Sequence, residues 1–199
     1  MTDFTLGHFG AEVDARGDYL KLSFSPLNAP LHSRWRNNGL SADFLSDYVT
    51  TFLPGSIDPE SESRQNQIRH AISFVANELL ENAMKYHERN SEIPIEIHME
   101  LRSSQIAVTV RNGVTSDQAV RYRGFAQKLV QEDAATLLSR ALEESASHES
   151  TQSGLGLLTM VNDYQALLGW RFEQASACGT VTVSTSVVVD WQALTGASA

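Results

Sequence analysis

The 199-residue sequence predicts an α/β (α+β) fold, a two-layer sandwich in which a mixed, mostly antiparallel sheet is covered on one face by helices. Three observations predict it. Apolar residues alternate with period two around 19–24, 95–110 and 180–189. One long stretch beginning near Pro59 carries apolar residues at helical spacing. The elements follow in the order strand, helix, long helix, hairpin, polar segment, helix, hairpin, with no internal repeat.

Taken in order, Leu20, Leu22 and Phe24 share one side of a strand, and residues 9–13 are its expected preceding partner. A helical pattern then runs over roughly 31–52, and Pro54-Gly-Ser-Ile-Asp-Pro59 breaks it. Asp58 as cap and Pro59 as first position start a long helix, with Ile68, Ile72, Val75, Leu79, Ala83 and Tyr86 as its apolar stripe. Ile95, Ile97, Met99 and Leu101, then Ile106, Val108 and Val110, read as a hairpin joined by Arg102-Ser-Ser-Gln105. Residues 114–153 are more polar and hold one or two helices, one near 133–144, followed by a run of low hydrophobicity over 143–153; this segment is a candidate lid. A last helix buries Leu157, Met160, Val161, Tyr164 and Leu168, with Gly169 at its end. Residues 170–173 and 180–189 close the chain as a strand pair turned at Cys178-Gly-Thr180. The whole of 1–199 reads as a single domain, with 1–60 an N-terminal strand-helix extension.

Composition excludes several functions. A formal net charge of -9 argues against a sequence-independent hold on nucleic acid or anionic lipid. The single cysteine, Cys178, cannot form an internal disulfide, which points to a reducing compartment. No signal-peptide pattern or membrane-length apolar stretch is present, so the expected location is the cytoplasm.

Two motifs carry chemistry. In Glu78-Leu-Leu-Glu-Asn-Ala-Met-Lys-Tyr86, Glu78 and Asn82 lie one helical turn apart, with Lys85 within roughly 60° of both. This strip offers a carboxylate, an amide oxygen for a metal and a cation for phosphate. In Ser153-Gly-Leu-Gly-Leu157, glycines at the start of a helix let a polyphosphate approach unpaired backbone N–H groups. Each alone has a bland reading, as a solvated helix edge and as a packing glycine. His70 on the long helix reads as a structural histidine, Trp35, Trp170 and Trp191 as core or interface anchors, and Asn162 and Asp163 as surface positions or a partner contact.

Together, and in this order, the motifs resemble the GHKL ATPase superfamily of histidine kinases, gyrase and anti-sigma-factor serine kinases, across about residues 65–189. Glu78, Asn82, Ala83, Lys85 and Tyr86 match the helix motif; Gly154, Leu155, Gly156 and Leu157 match the Gly-Leu-Gly-Leu box; and Gly179 and Thr180 match the closing Gly-Thr box. Within the superfamily, the short chain looks most like the anti-sigma-factor serine kinases and the SiaB-type bacterial kinases. The resemblance implies ATP or ADP as ligand with Mg²⁺, Asn82 as metal ligand, Glu78 as general base and Lys85 as phosphate neutraliser. Ser153, Gly154, Leu155 and Gly156 would cradle the phosphates, and Thr180 would belong to the same nucleotide site. Where the family has Asp-x-Gly-x-Gly, this chain has Arg111-Asn-Gly-Val-Thr115; Gly113 matches, Asn112 offers an amide to an adenine edge, and Asp117 is another nearby carboxylate.

Two function classes follow. One is a protein Ser/Thr kinase acting on a small STAS-like or SiaC-type partner in a bacterial partner-switching system. The other is a non-catalytic, nucleotide-gated binding module. Intact Glu78 and Asn82 favour the first and Arg111 the second, while a homodimer is compatible with either. A metal-dependent hydrolase ranks third, because no His and carboxylate cluster has ligand spacing.

Overall fold

The computed structural model describes residues 3–9, 18–25, 38–53, 59–147, 154–175 and 179–194. Strands β1 (Phe4–Gly7) and β2 (Tyr19–Phe24) precede helices α1 (Asn38–Thr50) and α2 (Pro59–Tyr86). The hairpin β3 (Ile95–Leu101) and β4 (Gln105–Thr115) leads into α3 (Ser116–Gln131), α4 (Ala134–Ser147) and α5 (Leu155–Tyr164). The hairpin β5 (Leu167–Ala175) and β6 (Thr180–Asp190) and the short α6 (Trp191–Leu194) follow.

The six strands form one sheet in the order β1-β5-β6-β4-β3-β2, and every pairing among the described residues is antiparallel. The two-layer architecture stands, and the expected mixture of strand directions gives way to a uniformly antiparallel sheet. The register puts Leu6, Trp170, Thr185, Val110, Ile97 and Leu22 in a single row across all six strands. Side chains alternate between faces along a strand, so this row lies on the helix-covered face. The adjacent row Thr5, Arg171, Ser184, Arg111, Glu96 and Ser23 lies on the opposite one.

Helix α2 spans 28 residues, and its stripe packs as its spacing dictates: Ile68, Ile72, Val75, Leu79, Leu80 and Ala83 are buried against Ile95, Ile97, Met99, Val108 and Val110. Each Val, Leu, Ile or Met side chain among them contributes about 1.5–3 kcal/mol when fully buried. Tyr86, the last stripe position, is half-buried, because the helix ends there and the chain turns away. Helix α1 covers the far side of α2 through Ala42, Leu45 and Val49, with the Arg69 guanidinium on the Asp47 carboxylate at 2.5 Å.

Several boundaries differ from those read in the sequence. The first strand is Phe4–Gly7, and it pairs with β5 and not with β2; of the expected partner at 9–13, Phe9 is in no strand and the rest lies outside the described residues. The described helix begins at Asn38, whereas 31–37 and the Asp58 cap lie outside the described residues. The last long helix stops at Tyr164 because Gln165 turns left-handed, with φ 50°. Leu168 and Gly169 therefore belong to β5, where Gly169 pairs with Gly7, and do not finish a helix. Strand β4 runs through Val114 to Thr115, whose side chain caps α3 in a reciprocal box with Gln118.

Segment 114–153 contains two helices among its described residues. Helix α3 buries Ala119 and Ala126 in the core, and α4 starts where Asp133 accepts from the Thr136 backbone N–H at 2.9 Å. Residues 148–153 lie outside the described residues.

Candidate functional site

A cavity of about 540 Å³ opens between α2, β4, α3 and the start of α5, a size typical of small-molecule sites. Leu79, Asn82, Ala83 and Tyr86 line it from α2, and Val110, Asn112 and Val114 from β4. Gln118, Arg121, Tyr122 and Phe125 close it from α3, with Gly154, Leu157 and Thr185 completing the wall. Its walls are mostly apolar, with a few polar groups placed among them.

Asn112 is one of these groups. It stands in the sheet row of Phe4, Phe172 and Val183, is only 7% exposed, and donates its amide N–H to the Ala83 carbonyl at 3.3 Å. With Nδ2 engaged on α2, Oδ1 remains as the side chain's hydrogen-bond acceptor. Arg111 sits one residue earlier and therefore points to the other face of the sheet, where its guanidinium lies 3.4 Å from Glu96. Arg111 is thus not among the residues that line the cavity. Gly113 sits on that other face too, packed against Ser91 and Ile93.

Thr185 interrupts an apolar row with a hydroxyl. Its Oγ1 lies 2.9 Å from the Tyr122 hydroxyl, which also accepts the indole N–H of fully buried Trp170 at 3.1 Å. Burial raises the Tyr122 pKa, against the hydrogen bonds to Thr185 and Trp170. The chain of three polar groups is thereby satisfied inside the core.

The two sequence motifs meet at the start of α5. Gly154 is the N-cap, with φ 98°, and among the described residues no side-chain cap hydrogen bond is made there, so the first N–H groups of the helix lack that acceptor. A Cβ on Gly154 would fall 2.5 Å from Cζ of Phe125. A Cβ on Gly156 would overlap the Glu78 carboxylate, so that carboxylate lies directly against the glycine backbone. Burial and then the like charge of Glu81 raise the Glu78 pKa, which moves it toward the range useful for proton transfer near neutrality.

The sequence-chosen residues divide accordingly. Asn82, Asn112 and Gly154 line the cavity, whereas Glu78 and Gly156 sit against each other and are not among the residues that line it. Leu155 is the first residue of α5 and is not among the cavity-lining residues. Lys85 is exposed, its ammonium 5.4 Å from the centre of the Tyr86 ring, outside the cavity wall. Thr180 starts β6 opposite Thr115, at the end of the sheet and off the cavity. Ser153 lies outside the described residues. Asn162 ties α5 to α4 by donating to the Ala134 carbonyl at 3.2 Å. His70 is exposed.

The sequence reading did not single out Gln118, Arg121, Tyr122, Phe125 or Thr185. Their signal was present as the spacing 118, 121, 122, 125, one face of a helix, but it lay in a segment read as a lid.

Among the described residues no group of three or more His, Cys, Asp or Glu could hold a metal ion. A divalent cation here would take its oxygen ligands from Asn82, phosphate and water. Among the described residues no helix is long and apolar enough to cross a membrane.

No protein-family model matches the chain, and no curated protein matches it. Among solved structures it is similar to a chain of "The crystal structure of SiaB-SiaC complex from Pseudomonas aeruginosa", with TM-score 0.54 and 16% sequence identity, over 85% of this chain and 89% of that one. At this identity the similarity speaks for the fold: a six-stranded antiparallel sheet with helices packed on it.

Proposed function

We propose that this chain is a nucleotide-binding signalling protein of the partner-switching type, a Ser/Thr kinase that uses ATP with Mg²⁺ and acts on a small protein partner of SiaC or STAS-like type. One observation carries the reading: the helix bearing Glu78 and Asn82 and the uncapped Gly154–Gly156 start of α5 converge at one apolar cavity of nucleotide size. The structural neighbour from a SiaB-SiaC complex supports the partner class.

In this reading the base lies between β4 and α3, with Asn112 Oδ1 accepting from its amino group. The phosphates reach the backbone N–H groups at the start of α5. Asn82 would hold the cation, which supplies charge neutralisation between the phosphates. Glu78 takes the proton of the partner's hydroxyl as that oxygen bonds the γ-phosphorus and the bond to the ADP oxygen breaks. The direct test is calorimetric titration with ATP and Mg²⁺, followed by incubation with labelled ATP and small candidate partners. Saturable binding that weakens in Asn82→Ala supports the reading, and absence of binding overturns it.

A second reading, a non-catalytic nucleotide-gated module, draws on a specific observation. The Glu78 carboxylate sits behind Gly156 and is not among the residues that line the cavity, and no other carboxylate is among them either. Binding without transfer to any partner would favour it.

A further inference from the structure

We propose that Arg121 on α3 is the cation that binds the nucleotide's terminal phosphates, the role that the helix motif assigns to Lys85; the proposal rests on the nucleotide reading above. Geometry selects it. Among the residues that line the cavity Arg121 is the sole cation, and no acid lines the cavity with it. Among the described residues it makes no ion pair, whereas Arg64, Arg69, Arg102, Arg111 and Arg140 each contact a carboxylate. Lys85 is exposed outside the cavity wall, its ammonium beside Tyr86.

The helix places Arg121 where phosphates would be. Phe125, one turn further along the same face, touches Gly154 at the start of α5, and Tyr122 between them stacks on Phe125 with ring centres 6.4 Å apart. Arg121 thus stands one helical turn before the residue that touches the start of α5, on the α3 face that lines the cavity. The other arginine of that turn, Arg123, is turned away, its guanidinium 3.6 Å from the centre of the Phe4 ring. A guanidinium offers five donors in a planar fork that fits phosphate oxygens in pairs. Its position on α3 also makes the sensing of the phosphate a property of that helix.

The test is to titrate adenosine, ADP and ATP, each with Mg²⁺, into the wild type, Arg121→Gln, Arg121→Lys and Arg123→Gln. Arg121 is exposed, so its replacement should leave the melting temperature in place, and a thermal melt of each variant checks that. The expected result is a loss of about tenfold or more in ATP affinity for Arg121→Gln, from one charge-assisted hydrogen bond. Adenosine affinity should be unchanged, Arg121→Lys should recover part of the loss, and Arg123→Gln should bind like the wild type. Equal loss for adenosine and ATP, no loss at all, or a matching loss for Arg123→Gln would overturn the assignment while leaving nucleotide binding intact. A wild type that binds none of the three ligands would overturn the nucleotide reading itself and this assignment with it.

Discussion

Replacing Gly154 by alanine combines two costs that can be worked from the geometry. The backbone there has φ 98° and ψ −7°, a left-handed conformation that costs an L-residue about 1–2 kcal/mol. The new Cβ would also fall 2.5 Å from Cζ and 2.9 Å from Cε2 of Phe125. That ring cannot easily retreat, because it lies stacked on Tyr122 with the planes 15° apart. Overpacking of this kind costs about 1–3 kcal/mol. The sum is about 2–5 kcal/mol, or roughly 4–20 °C in Tm for a domain of this size.

Gly156→Ala provides the contrast, since its Cβ would meet the far end of the flexible Glu78 side chain. The carboxylate can swing away, and alanine gains about 1 kcal/mol over glycine in a helix, so stability should change little while the base is displaced. Thermal melts and urea titrations of both variants measure this. If Gly154→Ala melts within about 2 °C of the wild type, or Gly156→Ala is the less stable of the two, the account of the α5 start is wrong.

Other expectations concern the same region and one buried histidine. Glu78→Gln should retain nucleotide affinity and slow phosphoryl transfer by roughly 10²-fold; single-turnover rates that match the wild type would remove Glu78 from the mechanism. Asn82→Ala should weaken ATP binding only when Mg²⁺ is present, because a methyl group cannot ligate the metal, and calorimetry with and without the cation reads the difference. Tyr122→Phe leaves the buried Trp170 N–H without its acceptor and should cost about 1–3 kcal/mol in urea unfolding; an unchanged midpoint would show that the relay is dispensable. His87 is 7% exposed, neither ring nitrogen has a hydrogen-bond partner among the described residues, and burial lowers its pKa below 6.5 despite Glu88. Folding thus disfavours its charged form, so its contribution to stability is present above pH 6.5 and lost as pH falls toward the folded pKa. His87→Leu should therefore gain on the wild type in Tm as pH drops from 7 to 5, and a pH-independent difference would exclude His87 as the cause.

The parts of this molecule legible in its sequence are those governed by local periodicity. The α2 stripe and the β3–β4 alternation decide which side is buried, and the structure follows them except at Tyr86 and Leu101, which are half-buried, and at Glu100 and Ala107, which are buried on the other side. The glycine motif, read as a place where phosphates approach the backbone, holds the Phe125 ring against Gly154 and the Glu78 carboxylate against Gly156. What escaped was set by non-local partners. Phe4–Gly7 is too short to declare itself, and it is a strand because β5 offers it an edge. Leu168 and Gly169 fit a helix equally well until Gln165 turns left-handed. The wall formed by α3 was missed because Gln118, Arg121, Tyr122 and Phe125 are mostly polar or amphipathic. A polar helix face looks like surface until the opposing wall of a cavity is known. Arg111 was read beside Asn112 as one motif, although on a strand adjacent residues face opposite ways.

The position of β1 and β2 at the two outer edges of the sheet has a consequence for how the chain comes together. β2 meets β3 across a moderate stretch of chain, whereas Phe4 finds Phe172 only after nearly everything between has been laid down. Contacts so distant in sequence slow folding, because the intervening loop must close before pairing rewards it. Until that happens the outer edge of β5 remains an unpaired ladder of N–H and C=O groups, open to strands of other molecules. Chains truncated to remove β1 should therefore aggregate through β5, and addition of a peptide with the β1 sequence in trans should suppress that aggregation.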